Sequence, residues 1–142
     1  MDVRSLLVAG DRADISQALG DLVGRLVAEL GLGWRVERIA QDRASYPGET
    51  LHALQPLGLV LMAGEPVLRP ALLGVSAYDR DLPVLLATGS DPHSLGVADA
   101  VEKRRRLRGL SRVIGWPTIS DLTSFLFRAG RHGKTGSLMP MT

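Results

Sequence analysis

The sequence contains no cysteine and only six aromatic residues: two Phe, two Tyr and two Trp. Without cysteine the chain has no disulfide, no thiolate metal site and no cysteine nucleophile. It also lacks any apolar run near the roughly 18 residues that a membrane-spanning helix needs. Residues 1–4, Met-Asp-Val-Arg, do not start a secretory leader, which has a basic start and an apolar segment. These absences predict a cytoplasmic protein that makes no contact with membrane.

The common enzyme motifs are missing as well. The three histidines, His52, His93 and His132, are far apart and none has metal-ligand spacing with another histidine or an acid. There is no Gly-x-Ser-x-Gly nucleophile elbow and no Gly-x-Gly-x-x-Gly fingerprint. The segment 130–135, Gly-Arg-His-Gly-Lys-Thr, has two residues between its glycines where a phosphate-binding loop has four. We therefore predict a protein that is not an enzyme and that has no metal site and no cofactor.

Charge is distributed unevenly along the chain. Residues 1–102 contain 14 acidic and 8 basic residues, a net charge of −6, whereas residues 103–142 contain 9 basic residues and Asp121 alone, a net charge of +8. Such a basic end favours acidic partners but does not choose between proteins, nucleic acids and membranes.

Three short apolar runs without polar alternation predict the centre of the fold. They span residues 5–10, 58–64 and 82–89, and each ends in small residues. Runs of this kind are typical of parallel strands that are covered by helices on both faces. Further strands are expected at residues 34–39 and 110–114, with helices between all of them. The pattern predicts a doubly wound α/β domain over residues 1–129, followed by a flexible basic tail or linker over residues 130–142.

The runs at residues 5–8, 59–64 and 82–86, together with the Trp116-Pro117 step before a Leu-rich helix, resemble the receiver domain of two-component systems. More narrowly, the chain resembles the amino-terminal domain of FleQ/FlrA-type flagellar transcription activators, which depend on the sigma-54 polymerase. The resemblance implies a five-stranded parallel sheet of order 2-1-3-4-5. It also implies an AAA+ ATPase output module as partner, either in the same chain or in a full-length regulator.

The resemblance further implies a phosphorylation pocket that has lost its chemistry. Receivers have an acidic pair after the first strand, a phosphoacceptor Asp after the third, a Thr or Ser after the fourth and a Lys before a proline after the fifth. The corresponding residues here are Gly10 and Asp11, Ala63, Thr88, Trp116 and Pro117. A pseudo-receiver that is not phosphorylated is therefore expected, with a cis peptide bond at Trp116–Pro117 as in most receivers. Glu65 could imitate the phosphorylated state with a fixed negative charge.

A basic run follows the fourth predicted strand. We predict that it contributes to a face for a homodimer or another protein partner, because receivers commonly dimerise through the helix 4, strand 5 and helix 5 surface. The residues of this candidate face are Lys103, Arg104, Arg105, Arg108 and Arg112. Direct DNA binding is disfavoured, since neither a helix-turn-helix nor an aromatic stacking platform is evident.

Two alternatives stay open. One is a small nucleotide-binding domain or enzyme of flavodoxin-like fold, with its ligand near Gly10, Gly64 and Gly89. The other is an active receiver that uses an atypical phosphoacceptor.

Overall fold

A five-stranded parallel sheet forms the centre of the molecule. The structure is a computed structural model that describes residues 4–40 and 48–138. The elements alternate strictly along the chain. They are β1 (Ser5–Gly10), α1 (Ala13–Glu29), β2 (Arg35–Ala40), α2 (Gly48–Leu54), β3 (Gly58–Met62), α3 (Leu68–Tyr78), β4 (Val84–Thr88), α4 (Pro92–Arg105), β5 (Leu110–Ile114) and α5 (Ile119–Leu138).

The strand order is β2-β1-β3-β4-β5, which confirms the predicted doubly wound arrangement. The pairings are all parallel, with Gly10 opposite Met62 and Met62 opposite Ala87. Each residue of β1 and β4 is buried, as expected for strands covered on both faces. This register brings the carboxyl ends of β1, β3 and β4 to one edge of the sheet, where ligand sites of open α/β folds lie.

Side chains point alternately to the two faces of the sheet and form a separate hydrophobic core on each face. On one face Leu7, Leu59 and Leu86 pack with apolar residues of α2, α3 and α4. On the other face Leu6, Val60 and Leu85 pack with α1 and α5. Because side chains alternate between the two faces along each strand, every strand buries apolar residues against both helical layers.

The last helix differs from the prediction at its end. At its start Thr118 and Asp121 cap it reciprocally: the Thr118 N–H donates to Asp121 Oδ2 (2.9 Å) and the Asp121 N–H donates to Thr118 Oγ1 (3.0 Å). It continues to Leu138, whereas a flexible tail was expected from residue 130. Gly130 leaves room for the Trp34 ring, and His132 Nε2 lies 3.4 Å from Asp79 Oδ2. The helix thus continues through Gly130, Gly133 and Gly136. Residues 139–142 of the predicted tail lie outside the described residues.

The prediction of a cis bond at Trp116–Pro117 is wrong. In the part of the chain that the structure describes, the cis peptide bond is Glu65–Pro66. After β5 the chain turns instead at Gly115, whose φ of +80° lies in the left-handed region that glycine adopts without steric cost. No helix within residues 4–40 and 48–138 has the length and apolar character needed to cross a membrane.

Candidate functional site

A cavity of about 260 Å³ lies at the carboxyl ends of the central strands. Its walls come from the loops that follow β1, β3, β4 and β5, the position where the sequence predicts the receiver-like pocket. The lining residues are Asp11, Ile15, Met62, Ala63, Gly64, Ala87, Thr88, Gly89, Gly115 and Trp116. We call this cavity the strand-end cleft.

Ala63 occupies the position where a receiver has its phosphoacceptor. The residue directly follows β3 and is only 4% exposed. Its N–H donates to the carbonyl of Ala87 (3.2 Å), which extends the β3–β4 ladder by one residue. The side chain at this point of the cleft is therefore a methyl group, which can neither attack a phosphoryl group nor bind a cation.

Asp11 is the acidic residue of the cleft, and its hydrogen bonds connect the loop after β1 to the end of β3 and the loop that follows it. Its N–H donates to the carbonyl of Met62 (3.3 Å), and its Oδ2 accepts a long hydrogen bond from the Gly64 N–H (3.4 Å). The carboxylate thus lies beside the loop that follows β3. Over residues 4–40 and 48–138, no three His, Asp or Glu side chains come together as a metal site.

Gly10 cannot supply the second carboxylate of a receiver's acidic pair. A Cβ at this position would lie 3.0 Å from Ser16 N and 3.1 Å from Ile15 Cγ2. The first turn of α1 therefore lies so close to the end of β1 that a side chain at position 10 would require it to shift by a few tenths of an ångström. Mg²⁺ is usually held by one or two carboxylates together with waters and phosphate oxygens, and here the cleft offers one carboxylate.

Thr88 and Trp116 form the opposite wall of the cleft. Thr88 is 5% exposed, and its carbonyl accepts a hydrogen bond from the Gly115 N–H (2.8 Å). Trp116 is 47% exposed, so its ring covers the cleft only in part. Four of the six predicted pocket residues line the cleft, while Gly10 and Pro117 do not.

Some lining residues were missed by the sequence analysis. Ile15 enters from the first turn of α1, and Met62 and Ala87 are the strand positions that precede the predicted ones. Met62 and Ala87 are visible in the sequence as residues close to the ends of apolar runs. No sequence signal marks Ile15, because its place depends on how α1 packs on the sheet.

Glu65 does not project a charge into the strand-end cleft. Its Oε1 accepts a hydrogen bond from the Arg69 N–H (3.0 Å), and its Oε2 lies 3.8 Å from Arg69 Nε and 3.9 Å from His93 Nε2. Glu65 is not among the residues that line the cavity. The carboxylate instead stabilises the start of α3, so its use as a substitute for a phosphoryl group has no geometric support.

Asp91 shapes the loop that follows β4. Its Oδ2 accepts a hydrogen bond from the Ser94 N–H (2.9 Å), and Pro92 occupies the first turn of α4. The hydrogen bond from the Ser94 backbone, followed by one from the Ser94 side chain, lowers the pKa of Asp91 below its ordinary value. The carboxylate is therefore a helix cap.

The five cations of the predicted partner face point in different directions. Lys103 Nζ lies 3.2 Å from Asp99 Oδ2, and Arg112 pairs with Asp99 and Glu102 at 3.7 and 3.6 Å. Arg108 Nε lies 2.8 Å from Asp81 Oδ1. Arg104 and Arg105 line a groove between α3 and α4. The basic run thus has two sides. One side faces β5 and is ion-paired, and the other side faces α3.

No protein-family model and no curated protein matches this chain. Among solved structures, the chain is similar to a short-chain flavodoxin associated with a non-canonical PDU bacterial microcompartment, with a TM-score of 0.50 and 12% sequence identity. The match covers 94% of this chain and 99% of the flavodoxin. At this identity the likeness concerns the fold alone. The chain has a flavodoxin-like fold, with the strand order that flavodoxins and receivers share.

Proposed function

We propose that this chain is a non-catalytic regulatory domain, a pseudo-receiver that acts through contacts with other proteins and does not accept a phosphoryl group. The observation that carries the proposal is the buried methyl group of Ala63 at the strand-end position. Phosphoryl transfer to a receiver needs a nucleophilic carboxylate at that point. The chain thus combines a receiver-like strand order with a cleft that lacks the reacting group.

Two further features support the loss of phosphoryl chemistry. Asp11 is the lone acid lining the described cleft, and it interacts with the Gly64 N–H. Gly10 has no side chain, and the first turn of α1 leaves little room for one. A carboxylate introduced at position 63 would therefore restore the phosphoacceptor position but not a receiver's acidic pair.

The finer proposal is a FleQ/FlrA-like role in transcription regulation. It rests on the resemblance of the strand motifs and of the Trp116-Pro117 step to that family. On this proposal the domain is cytoplasmic, forms a homodimer and controls an AAA+ ATPase module in the same chain or in a full-length regulator. Contacts between proteins would then carry the signal, without a cofactor and without direct DNA binding.

Exposure to a small phosphodonor tests the proposal directly. The protein is incubated with acetyl phosphate and Mg²⁺, and intact mass spectrometry measures the adduct; a working receiver treated in parallel is the control. We expect no phosphoryl adduct on this chain. An adduct that disappears in Asp11→Asn would show instead an active receiver with an atypical phosphoacceptor.

A nucleotide-binding role is the second candidate, favoured by the half-exposed Trp116 ring at the strand-end cleft. An aromatic face of this kind can stack on a planar base. Thermal melting with a panel of nucleotides separates the two functions, because a ligand that binds the native state raises its melting temperature. A rise that Trp116→Ala abolishes would favour this role, and an unchanged melting temperature with every nucleotide would favour the pseudo-receiver.

A further inference from the structure

A groove between α3 and α4 lies apart from the strand-end cleft. It holds a cavity of about 260 Å³. Leu73, Val97, Ala100 and Val101 supply apolar surface, and Arg69, Arg104 and Arg105 supply three guanidinium groups. We call this feature the α3–α4 groove. None of its residues lines the strand-end cleft.

The guanidinium groups of the groove have few carboxylates near them. Arg104 and Arg105 have no carboxylate within 4.0 Å among the residues that the structure describes, and Arg69 Nε is 3.8 Å from Glu65 Oε2. Lys103, in the same last turn of α4, instead pairs with Asp99 at 3.2 Å. Carboxylates are thus available on the β5 side of α4, but they do not reach the α3 side. The groove carries three positive charges against one nearby negative charge.

The size of the cavity indicates what it can hold. Pockets for drug-sized molecules are generally about 300–1,000 Å³, so a cavity of about 260 Å³ is at the small end and suits one large apolar side chain. Four of its seven lining residues are apolar, so the cavity favours an occupant with an apolar part. Guanidinium groups bind carboxylates through paired hydrogen bonds. An apolar anchor flanked by carboxylates therefore matches the groove.

We propose that the α3–α4 groove is a docking site for an acidic peptide segment of a protein partner. One apolar side chain of the segment fills the cavity, and neighbouring Asp or Glu side chains pair with Arg104 and Arg105. Arg69 adds a third positive charge from α3. The groove contains no aromatic ring on which a nucleic-acid base could stack, so a peptide fits it better than a single-stranded nucleic acid. This inference does not depend on whether the strand-end cleft is a pseudo-receiver site.

The helix dipole offers a competing explanation for the cations. Basic residues in the last turn of a helix stabilise its negative end, whether or not they bind anything. Lys103 shares that turn but lies on the ion-paired side, so it provides a matched control. A dipole effect predicts that Lys103→Gln has about the same consequence as substitution of either arginine alone, whereas docking predicts an effect of the arginines alone.

The proposal can be tested on the full chain by selecting binders from a displayed library of random peptides. The peptides are about twelve residues long, so that they can form a short helix. Enriched peptides are synthesised with a fluorophore, and anisotropy measures their dissociation constants. We expect enriched peptides to contain several Asp or Glu residues around one large apolar residue. The double variant R104Q/R105Q should weaken their binding about tenfold, and K103Q by less than about twofold.

A second variant tests the cavity without changing charge. Ala100 is exposed in the groove, so Ala100→Trp should fill the cavity while the circular dichroism spectrum and melting temperature stay those of the wild type. We expect it to weaken peptide binding about tenfold as well. The proposal is overturned by failure to enrich any peptide, by enriched peptides without acidic residues, or by equal effects of K103Q and R104Q/R105Q. It is also overturned if Arg104 and Arg105 prove to mediate self-association, or binding to duplex DNA or phosphatidylserine vesicles, in place of peptide binding.

Discussion

This cleft has the methyl group of Ala63 at the position where a cleft that reacts with phosphate has a carboxylate. Ala63 is buried at the end of β3, and the carboxylate of Asp11 lies beside the same loop, where it accepts a hydrogen bond from the Gly64 N–H. A carboxylate introduced at position 63 would therefore lie near that of Asp11. Two such groups repel each other unless a cation lies between them.

We expect Ala63→Asp to bind Mg²⁺ weakly and the wild type not to bind it. The repulsion between two carboxylates should lower the melting temperature of the variant in the absence of metal. Mg²⁺ at about five times its dissociation constant should then restore about 1 kcal/mol of stability. Differential scanning calorimetry with and without Mg²⁺ measures both effects. Ala63→Asn, of equal size but without charge, should show no response to Mg²⁺, and an equal response of all three proteins would contradict the assignment of residue 63.

Gly109 is a residue at which the packing of two chain segments excludes a side chain. A Cβ there would overlap the Leu82 carbonyl and would lie 2.7 Å from the carbonyl oxygen of Asp81. Both neighbours are backbone groups, which cannot move aside as the end of a flexible side chain could. The close approach lets Gly109 accept a hydrogen bond from the Val84 N–H (2.9 Å), where the β4–β5 pairing begins.

Gly109→Ala should lower the free energy of unfolding by about 2–3 kcal/mol, because overpacking forces the backbone to shift. Urea denaturation followed by circular dichroism measures the change. Gly96→Ala is the matched control, since Gly96 lies within α4 and a Cβ there would meet nothing within 4 Å. That substitution should raise stability by about 0.5–1 kcal/mol through helix propensity. Similar losses in both variants would argue against the close approach.

Among the helices and strands, α4 has charged residues at both of its ends. Asp91 caps its first turn, and three cations occupy its last turn. The capping hydrogen bond from Ser94 favours the ionised form of Asp91, which is why the pKa of this carboxyl is lowered. A lowered pKa in the folded protein means that this group stabilises the fold above its ordinary pKa, and that the contribution is lost as the pH falls.

Asp91→Ala should therefore lower the melting temperature at neutral pH. The difference from the wild type should stay constant down to about pH 5 and shrink below about pH 4, since the wild-type carboxylate also loses its charge there. Thermal melts across this pH range measure the difference. In Asp91→Asn the amide oxygen still caps the helix without titrating, so its melting temperature should exceed that of Asp91→Ala at every pH. A gap between wild type and Asp91→Ala that does not change with pH would show that the charge of Asp91 is irrelevant to the cap.

For the whole molecule, apolar exposure is concentrated near β5. Ile114 ends β5 and Ile119 begins α5, and each is 61% exposed. Trp116 lies between them at 47%. β5 also forms one edge of the sheet, because it pairs only with β4. Exposed apolar groups of this kind mark surfaces that associate with other proteins, and the proposed dimer would cover them.

The double variant I114R/I119R should abolish self-association, which sedimentation velocity measures across a range of protein concentrations. Each arginine would place a charge in the dimer contact without a partner, and the repulsion would be repeated across a twofold axis. Leu30→Arg is the control, because Leu30 is also an exposed apolar residue, at 40%, but lies just beyond the end of α1. A wild-type protein that remains monomeric at every concentration would refute the dimer, and an equal loss in Leu30→Arg would refute its location.

The sequence by itself determined the parts of this protein that depend on local periodicity. The apolar runs ending near Gly10, Met62 and Thr88 indicate buried parallel strands, because strands covered on both faces need no polar alternation. Their ends indicate which edge of the sheet holds the cleft, and the resemblance to receivers indicated Asp11, Ala63 and Thr88 as residues of that cleft, which they line.

Only the tertiary structure decided features that depend on how elements pack on one another. The basic run reads as one charged segment, yet Lys103 faces Asp99 while Arg104 and Arg105 face α3, since a helix turns by about 100° per residue. Likewise, the ring of Trp34, far away in sequence, lies 3.4 Å from where a Cβ of Gly130 would be. Such contacts bring together segments that are distant along the chain, so they leave no periodic signal in either segment alone.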